Sequence, residues 1–92
     1  MSEAERLKDY VGREVVLDTD SRFLYVGTLT GIDDAFCELT DADVHDTTAT
    51  TTTRDMYIIN VQKYGIKKNR DRILVRRDRV VSLSLLSEVT EY

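Results

Sequence analysis

Two glycines inside one apolar segment constrain the fold of this chain more than any other feature of its sequence. Residues 22–33 alternate as a β-strand does, and Gly27 and Gly31 interrupt the run of strand-forming side chains. Glycines within a strand mark bends or bulges. A strand that curves through a small barrel needs positions without a Cβ, because neighbouring strands crowd the inside of the bend. We therefore expect a small, strongly bent barrel rather than a flat sheet.

The rest of the sequence predicts one domain, residues 1–92, built around that strand. Ser2 and Glu5 form an S-x-x-E capping box that begins a helix, and Gly12 ends it. A turn after Asp33 separates the second strand from the third. The predicted elements, in chain order, are a helix over about residues 3–11, barrel strands over about 13–44, an insertion over about 45–69 and barrel strands over about 70–86.

The insertion contains a segment, residues 54–66, that fits two structures. Its apolar side chains recur at three- and four-residue steps and Gly65 is a suitable end for a helix, whereas the β-branched Ile58 and Ile59 favour a strand. We favour a helix inserted before the fourth strand. The threonine-rich stretch 47–53 is too polar to pack and predicts a solvated loop, with phosphorylation and RNA contact as less favoured alternatives.

Two segments of the chain resemble the sequence motifs of the Sm/LSm family. The second motif corresponds to Ile73 to Leu83, ILVRRDRVVSL, which reads as an apolar strand, an arginine, a tight turn and another apolar strand. The first motif is carried by Gly12, Val15, Val16, Leu17, Gly27, Leu29, Gly31, Ile32 and Asp33. The resemblance implies a mainly β fold, the five-stranded, strongly bent SH3-like barrel known as the Sm fold, preceded by an N-terminal α-helix.

Assembly into a ring is the first functional expectation from this resemblance. In the family, the fourth strand of one subunit pairs with the fifth strand of the next, which assigns Ile73, Val75, Val81 and Leu83 to the interface. A physical reason points the same way, because an unpaired apolar edge strand promotes aggregation and a closed head-to-tail ring covers every edge. We expect a homo-oligomeric ring, and no residue fixes its number of subunits.

Binding of single-stranded RNA at the inner rim of the ring is the second expectation. The resemblance assigns it to Asp33, Phe36, Cys37, Arg76 and Arg77. Phe36 would stack on a base, Arg76 would cover the other face of that base, and Asp33 would orient the loop. Two positions depart from the family, since Cys37 replaces an asparagine that reads the base edge and Arg77 replaces a glycine. We therefore expect weak or altered base specificity, with core packing as the alternative role of Phe36.

The distribution of charge is compatible with an RNA partner. The chain carries a net charge of −4, yet residues 63–79 hold eight basic and two acidic side chains. A basic surface on an otherwise acidic protein attracts phosphate backbones. The alternative is that these basic side chains pair with carboxylates, those of Asp33 and Asp34 in a neighbouring subunit included, so that the basic surface is neutralised.

Other classes of function find little support in the sequence. No nucleophile has an activating partner at motif spacing and no glycine loop resembles a phosphate cradle, so we expect neither catalysis nor a cofactor. Asp41, Asp43 and His45 alternate along a strand, but a solvated acidic edge is favoured over a metal site. Cys37 is the single cysteine and no apolar run is long enough to span a bilayer, so we expect a cytoplasmic protein without membrane contact.

Two further interpretations remain open. The first is a structural or adaptor ring that keeps the assembly without the RNA pocket and docks a protein on residues 54–66. The second is an unrelated small barrel of the PRC or SH3-like type that acts as a regulatory module, since residues 11–29 suit those folds as well. A monomer in solution would favour the second, whereas a ring that takes up no RNA would favour the first.

Overall fold

The computed structural model describes residues 3–90, and five antiparallel strands form its single sheet. The strands are β1 Glu14–Thr19, β2 Phe23–Ile32, β3 Phe36–Asp46, β4 Arg70–Arg76 and β5 Val80–Leu85; the α-helices are α1 Glu3–Leu7 and α2 Arg54–Tyr64; and 3-10 turns cover Lys8–Tyr10, Arg77–Arg79 and Leu86–Glu88. The strand order is β4-β3-β2-β1-β5, so β4 and β5 are the two edges. The predicted bent five-stranded fold, its N-terminal helix and its inserted helix before β4 are confirmed.

The pairing of β2 with β3 is irregular at two places, and the two glycines lie at them. The register shifts between Val26 and Thr28, on either side of Gly27, and again between Leu29 and Gly31. Irregularities of this kind bend a strand and increase its twist. The prediction that the glycines of β2 mark bulges is therefore confirmed.

At the first irregularity, the backbones of β2 and β3 approach so closely that a side chain on β2 would force its neighbours to shift. A Cβ on Gly27 would lie 3.0 Å from the Cβ of Ala42 and 3.1 Å from the carbonyl oxygen of Thr40. On the β3 side, Asp41 has a φ of 49°, a left-handed conformation that aspartate adopts more readily than most residues. The lack of a side chain at Gly27 therefore relieves crowding where the sheet bends.

Apolar side chains are buried on both faces of the sheet. The inner face encloses a barrel core of Val15, Leu17, Leu29, Cys37, Leu39, Ala42, Val75 and Leu85. A second cluster on the other face consists of Val16, Leu24, Val26, Val61 and Leu86. Since Val61 belongs to α2, the inserted helix is the cover of the outer face of β1 and β2. Burial on both faces explains why β1 reads as an unbroken apolar run rather than as an alternating one.

Helix α2 has defined caps at both ends. The Thr53 side chain accepts a hydrogen bond from the Met56 amide at 3.2 Å, which satisfies one of the free amides of the first turn. Gly65 follows the helix with a φ of +90° and its amide donates to the Val61 carbonyl at 2.8 Å. These caps outweigh the strand preference of the β-branched residues between them.

Polar contacts fix α2 against the end of the chain and against β1. The Gln62 side-chain amide donates to the carbonyl oxygens of Leu86, at 2.9 Å, and Val89, at 2.6 Å. Arg54, in the first turn of α2, forms an ion pair with Asp18 of β1. The helix is therefore attached at its first residue and near its C-terminal end, where Val61 also packs into the second cluster.

The N-terminal helix is shorter in regular form than the predicted residues 3–11, because α1 ends at Leu7 and continues as a 3-10 turn to Tyr10. Tyr10 packs against the barrel core, and the Gly12 amide donates to the Leu29 carbonyl at 2.6 Å. Ser2, half of the predicted capping box, lies outside the described residues. No helix within residues 3–90 has the combination of length and apolar character needed to cross a membrane.

The close approach at Gly27 predicts the effect of adding a methyl group there. We expect Gly27→Ala to lower the free energy of unfolding by about 1–3 kcal/mol, because the new Cβ would lie 3.1 Å from backbone atoms of β3, which must shift to admit it. Urea denaturation followed by circular dichroism measures the change. Gly31→Ala is the matched control, since its Cβ would meet only the Glu38 Cβ at an ordinary 3.7 Å. Equal effects of the two substitutions would contradict the role given to Gly27.

Candidate functional site

Two loops at one end of the sheet are joined by direct hydrogen bonds. Loop A, residues 33–35, connects β2 to β3, and loop B, residues 77–79, connects β4 to β5. The backbone amide of Arg77 donates to the Ala35 carbonyl at 2.9 Å, and its guanidinium donates to the Asp33 carbonyl at 2.6 Å. Both motifs that carry the family resemblance therefore meet at these loops.

Asp33 organises loop A. One oxygen of its carboxylate accepts hydrogen bonds from the amides of Ala35 and Phe36, each at 2.8 Å, and its own amide donates to the Phe36 carbonyl at 3.0 Å. The two amide donors, with a smaller contribution from the charge of Arg77, hold the pKa of Asp33 below its ordinary value. One of the two carboxylate oxygens is thereby engaged by the turn that it stabilises.

Phe36 and Arg76 lie side by side at this end of the sheet. They are register partners at the start of β3 and the end of β4, and both side chains are exposed. The guanidinium of Arg76 makes two hydrogen bonds with the carboxylate of Asp78, at 3.1 Å and 2.7 Å. An exposed aromatic ring beside a guanidinium is an arrangement on which an unpaired nucleobase stacks.

The Cys37 side chain points into the barrel core, unlike the exposed side chains of Phe36 and Arg76. It is 2% exposed, belongs to the barrel core and pairs in register with Val75. Burial raises the pKa of its thiol, which keeps the side chain neutral. Of the five residues that the resemblance assigned to RNA binding, the structure therefore brings Asp33, Phe36, Arg76 and Arg77 to one surface and leaves Cys37 beneath them.

Loop B accommodates Arg77 without the left-handed conformation that favours glycine. Residues 77–79 form a 3-10 turn, and among residues 3–90 Asp41 is the only non-glycine residue with a positive φ. The turn therefore uses a geometry open to any side chain, and the Arg77 side chain reaches across to loop A. The substitution of arginine for glycine adds a contact between the loops.

The four predicted interface residues are not equally accessible. Ile73 and Leu83 pack against the barrel core of their own subunit, Val75 is part of it, and only Val81 is largely exposed, at 71%. The sequence analysis missed Leu74, which is 53% exposed on the outer side of β4. Strand alternation is the signal that identifies it, since Leu74 lies between two inward-facing positions.

A cavity of about 280 Å³ adjoins the exposed Leu74. Phe23, Tyr25 and Leu74 form its apolar wall, with Arg76 and Arg79 beside them. Among residues 3–90, no strand pairs with the outer edge of β4 or with the outer edge of β5. The sheet thus ends in two open edges, each with an exposed apolar side chain.

Part of the basic segment is paired within the chain. Lys68 forms ion pairs with Asp41 at 3.3 Å and Asp71 at 3.0 Å, and Arg79 forms one with Asp20 at 2.6 Å. All of these side chains are at least half exposed, so the pairs contribute little to stability and open readily to an anionic ligand. The positive charge of this segment remains available to a polyanion.

The three residues weighed as metal ligands have other partners. Asp41 pairs with Lys68, the Asp43 carboxylate accepts a hydrogen bond from Tyr57, and the His45 ring stacks on the Tyr57 ring at a centroid distance of 3.7 Å. Within the described part of the chain, no group of three or more histidine, cysteine, aspartate or glutamate side chains is arranged to hold a metal ion.

Comparison with known proteins relates the chain to solved structures, although no protein-family model matches its sequence and no curated protein matches it significantly. One similar structure is the Sm protein of Pyrococcus abyssii in complex with a uridine heptamer, with 18% identity, 92% of this chain and 99% of the other covered, and a TM-score of 0.62. A second is the Sm-like protein AF-Sm2 of Archaeoglobus fulgidus, with 18% identity, 92% and 95% covered, and a TM-score of 0.61.

A third similar structure is the SmAP1 heptamer of P. aerophilum, with 17% identity, 92% of this chain and 93% of the other covered, and a TM-score of 0.57. In all three cases the likeness extends over nearly the whole of both chains. The chain therefore has the Sm fold, and the fold that the two sequence motifs implied is confirmed.

The capping role of Asp33 predicts a defined effect of acid. Because its pKa is lowered in the folded protein, its contribution to stability is complete above its ordinary pKa of 3.8 and is lost as the pH falls through the lowered value. We expect Asp33→Asn to lose less stability than the wild type between about pH 4 and pH 2. Urea midpoints measured across this range test the expectation.

Asp34→Asn is the matched control, since among residues 3–90 no hydrogen bond to the Asp34 side chain is found. It should follow the acid profile of the wild type. If Asp33→Asn also followed that profile, the amide hydrogen bonds of loop A would not be the source of the lowered pKa.

Proposed function

We propose that this chain is an Sm-like protein whose copies assemble into a homo-oligomeric ring that binds single-stranded RNA with weak or altered base specificity. The single observation that carries the proposal is the junction of loops A and B, which holds an exposed phenylalanine beside an exposed arginine. The same junction recurs in each subunit of a ring, so that a strand of RNA meets one such pair per subunit.

Ring assembly is supported by the two open edges of the sheet. If β5 of a neighbouring copy pairs with β4, the backbone hydrogen bonds of both edges are satisfied and Val81 of that strand reaches the cavity beside Leu74. Repetition of a head-to-tail contact closes a ring when the rotation between copies allows it. The similar SmAP1 structure of P. aerophilum is a heptamer, which adds support without fixing the number of subunits here.

RNA binding is supported by the chemistry of the loop junction. A base stacks on the ring of Phe36 while the guanidinium of Arg76 supplies positive charge and a second planar surface. For that, Arg76 has to exchange the carboxylate of Asp78 for the incoming base or phosphate. The exchange is accessible because both side chains are more than half exposed. The similar Sm protein of Pyrococcus abyssii is in complex with a uridine heptamer.

Weak base specificity follows from what the site lacks at its surface. The Cys37 thiol is buried, and one oxygen of the Asp33 carboxylate is held by the loop amides. Stacking and charge remain, and neither distinguishes one base strongly from another because every base has a π-face. We expect oligouridine and oligoadenine to bind the Phe36–Arg76 site with comparable affinity.

An adaptor ring without RNA is the second candidate function, and one observation favours it. Arg76 is bound to Asp78 and Arg77 to loop A, so the positive charges at the junction are already engaged within the subunit. Under this alternative, the ring forms but takes up no RNA at any salt concentration. Protein docking on residues 54–66 remains a prediction, and an unrelated regulatory barrel is the remaining interpretation, for which the chain would be a monomer.

The edge contact predicts the result of placing a charge in the interface. We expect Val81→Asp to convert the ring into single chains, because a carboxylate would be buried without a partner between β5 and the neighbouring β4. Light scattering after size-exclusion chromatography measures the mass, and circular dichroism verifies that the variant is folded.

Met56→Asp is the matched control for that change. Met56 is also an exposed apolar residue, at 49%, but it belongs to α2 and to neither edge strand. The control should retain the mass of the wild type. A Val81→Asp protein that keeps the wild-type mass would rule out β5 as the interface.

The loop junction predicts a matching effect on RNA. We expect Arg76→Gln to weaken binding of a short oligouridine at least about tenfold at low salt and to lower the dependence of affinity on salt, because one cation per subunit is lost. Fluorescence anisotropy with labelled RNA over a range of salt concentrations measures both quantities. Lys8→Gln removes an exposed charge elsewhere and should leave them unchanged; equal effects of the two variants would contradict a site at the junction.

A further inference from the structure

A second cavity, of about 320 Å³, lies between α2 and the far end of β3. The half-buried Asp43 and Tyr57 form the part of its lining that we call the inner end, and the exposed Asn60, Tyr64 and Lys67 form the outer part. Asp43 follows Phe36 by seven positions along β3, which corresponds to at most about 23 Å of strand. The cavity is therefore separate from the Phe36–Arg76 site.

The inner end of the cavity is held in place by several contacts. The ring of Tyr57 stacks on that of His45 at 3.7 Å with an angle of 6° between the planes. The Tyr57 hydroxyl donates to one oxygen of Asp43, and the side-chain amide of Asn69 donates to the other at 3.0 Å. Burial and the bond to Asp43 raise the pKa of Tyr57, so that its hydroxyl keeps its proton. Contacts between protein side chains therefore fix the inner end of the cavity.

The outer part of the cavity carries three side chains with unused binding capacity. Tyr64 is 77% exposed at the last position of α2, and Asn60 and Lys67 are exposed nearby. Among residues 3–90, these three side chains make no hydrogen bond, ion pair or ring contact. An accessible aromatic ring, an amide and an ammonium group around one cavity are the groups that recognise a base, its edge and its phosphate.

We propose that the α2 cavity binds one nucleotide unit and so forms a second nucleic-acid site. The base stacks on Tyr64 and points inward, where Asn60 reaches its edge, and the phosphate pairs with Lys67 at the opening. This orientation follows from charge, because the Asp43 carboxylate repels a phosphate from the inner end. The volume is at the small end of the range of about 300–1,000 Å³ for ligand sites, which suits a single base.

Asp43 also gives the cavity a preference among bases. Each carboxylate oxygen accepts about two hydrogen bonds, and each oxygen of Asp43 has one from the protein. The remaining capacity accepts from an exocyclic amino group, which adenine, cytosine and guanine carry and uracil lacks. Uracil offers a single ring N–H donor, flanked on both sides by carbonyl oxygens that the carboxylate repels. The α2 cavity is therefore selective for amino-bearing bases, in contrast to the Phe36–Arg76 site.

The experiment isolates the α2 cavity by using the Arg76→Gln protein, in which the first site is impaired. Anisotropy titrations with labelled hexaadenylate and hexauridylate at low salt compare the two bases. We expect hexaadenylate to bind more tightly than hexauridylate by at least about fivefold. Tyr64→Ala and Lys67→Gln, each added to this protein, should weaken hexaadenylate binding about tenfold, the order of magnitude that loss of base stacking produces.

Matched variants separate recognition from structure. Tyr64→Phe keeps the aromatic face and should retain binding, whereas Met56→Ala on the same helix and Lys8→Gln on α1's 3-10 turn should have no effect. Because the Tyr64 side chain is largely solvent-exposed, Tyr64→Ala should leave the fold and the thermal midpoint unchanged.

Titration with adenosine monophosphate then identifies whether the ligand is a free nucleotide or part of an RNA strand. Competition by the monophosphate indicates a free nucleotide, and competition by the oligomer alone indicates an RNA strand.

Two results would overturn this proposal. One is an Arg76→Gln protein that binds neither hexaadenylate nor adenosine monophosphate. The other is binding of hexaadenylate that is unaffected by both Tyr64→Ala and Lys67→Gln. This test can fail or succeed independently of the proposed function. If Tyr64→Ala abolishes binding of hexaadenylate while Arg76→Gln does not weaken RNA binding, the α2 cavity is supported as a nucleotide site and the loop junction is not the RNA site.

Discussion

The close approach of β2 and β3 at Gly27 is the constraint on which the rest of the structure depends. A side chain at this position would crowd the backbone of Thr40, and the register of the two strands shifts there. The bend curls the sheet around its own core, and the pairing of β3 with β4, in which Phe36 lies opposite Arg76, brings loops A and B into contact. The strand order leaves β4 and β5 as edges, which is the condition for pairing between copies.

The inserted helix has a structural role that its position in the sequence does not reveal. Burial of Val16, Leu24 and Val26 on the outer face of the sheet depends on α2, whose Val61 joins that cluster. The unbroken apolar character of β1 is a sign that both of its faces are covered. Local sequence cannot say which segment covers the second face, because the contact joins residues far apart in the chain. The β-branched residues of α2 made a strand almost as plausible as a helix from sequence, and the caps at Thr53 and Gly65 favour the helix.

The elements of the candidate site were predictable to the extent that they depend on local pattern. The glycine bulges and the turn at Asp33 follow from residue types with strong backbone preferences, whereas the meeting of the two motif loops was implied only by the family resemblance. The inward direction of Cys37 and the outward direction of Leu74 follow from strand alternation only after the register is known. The bond between Arg76 and Asp78 was beyond reach from sequence, since surface ion pairs depend on side-chain conformations that the backbone does not dictate.

The central claim is that this Sm-fold chain forms a ring whose loop junctions bind single-stranded RNA through stacking and charge. The most direct test is the solution mass of the wild-type protein, measured by light scattering with and without a short oligouridine at low and at moderate salt. The account predicts a closed oligomer that gains the mass of bound RNA at low salt and loses it as the salt concentration rises. A monomer would contradict the assembly, and an oligomer that never takes up RNA would contradict the function proposed for the loop junction.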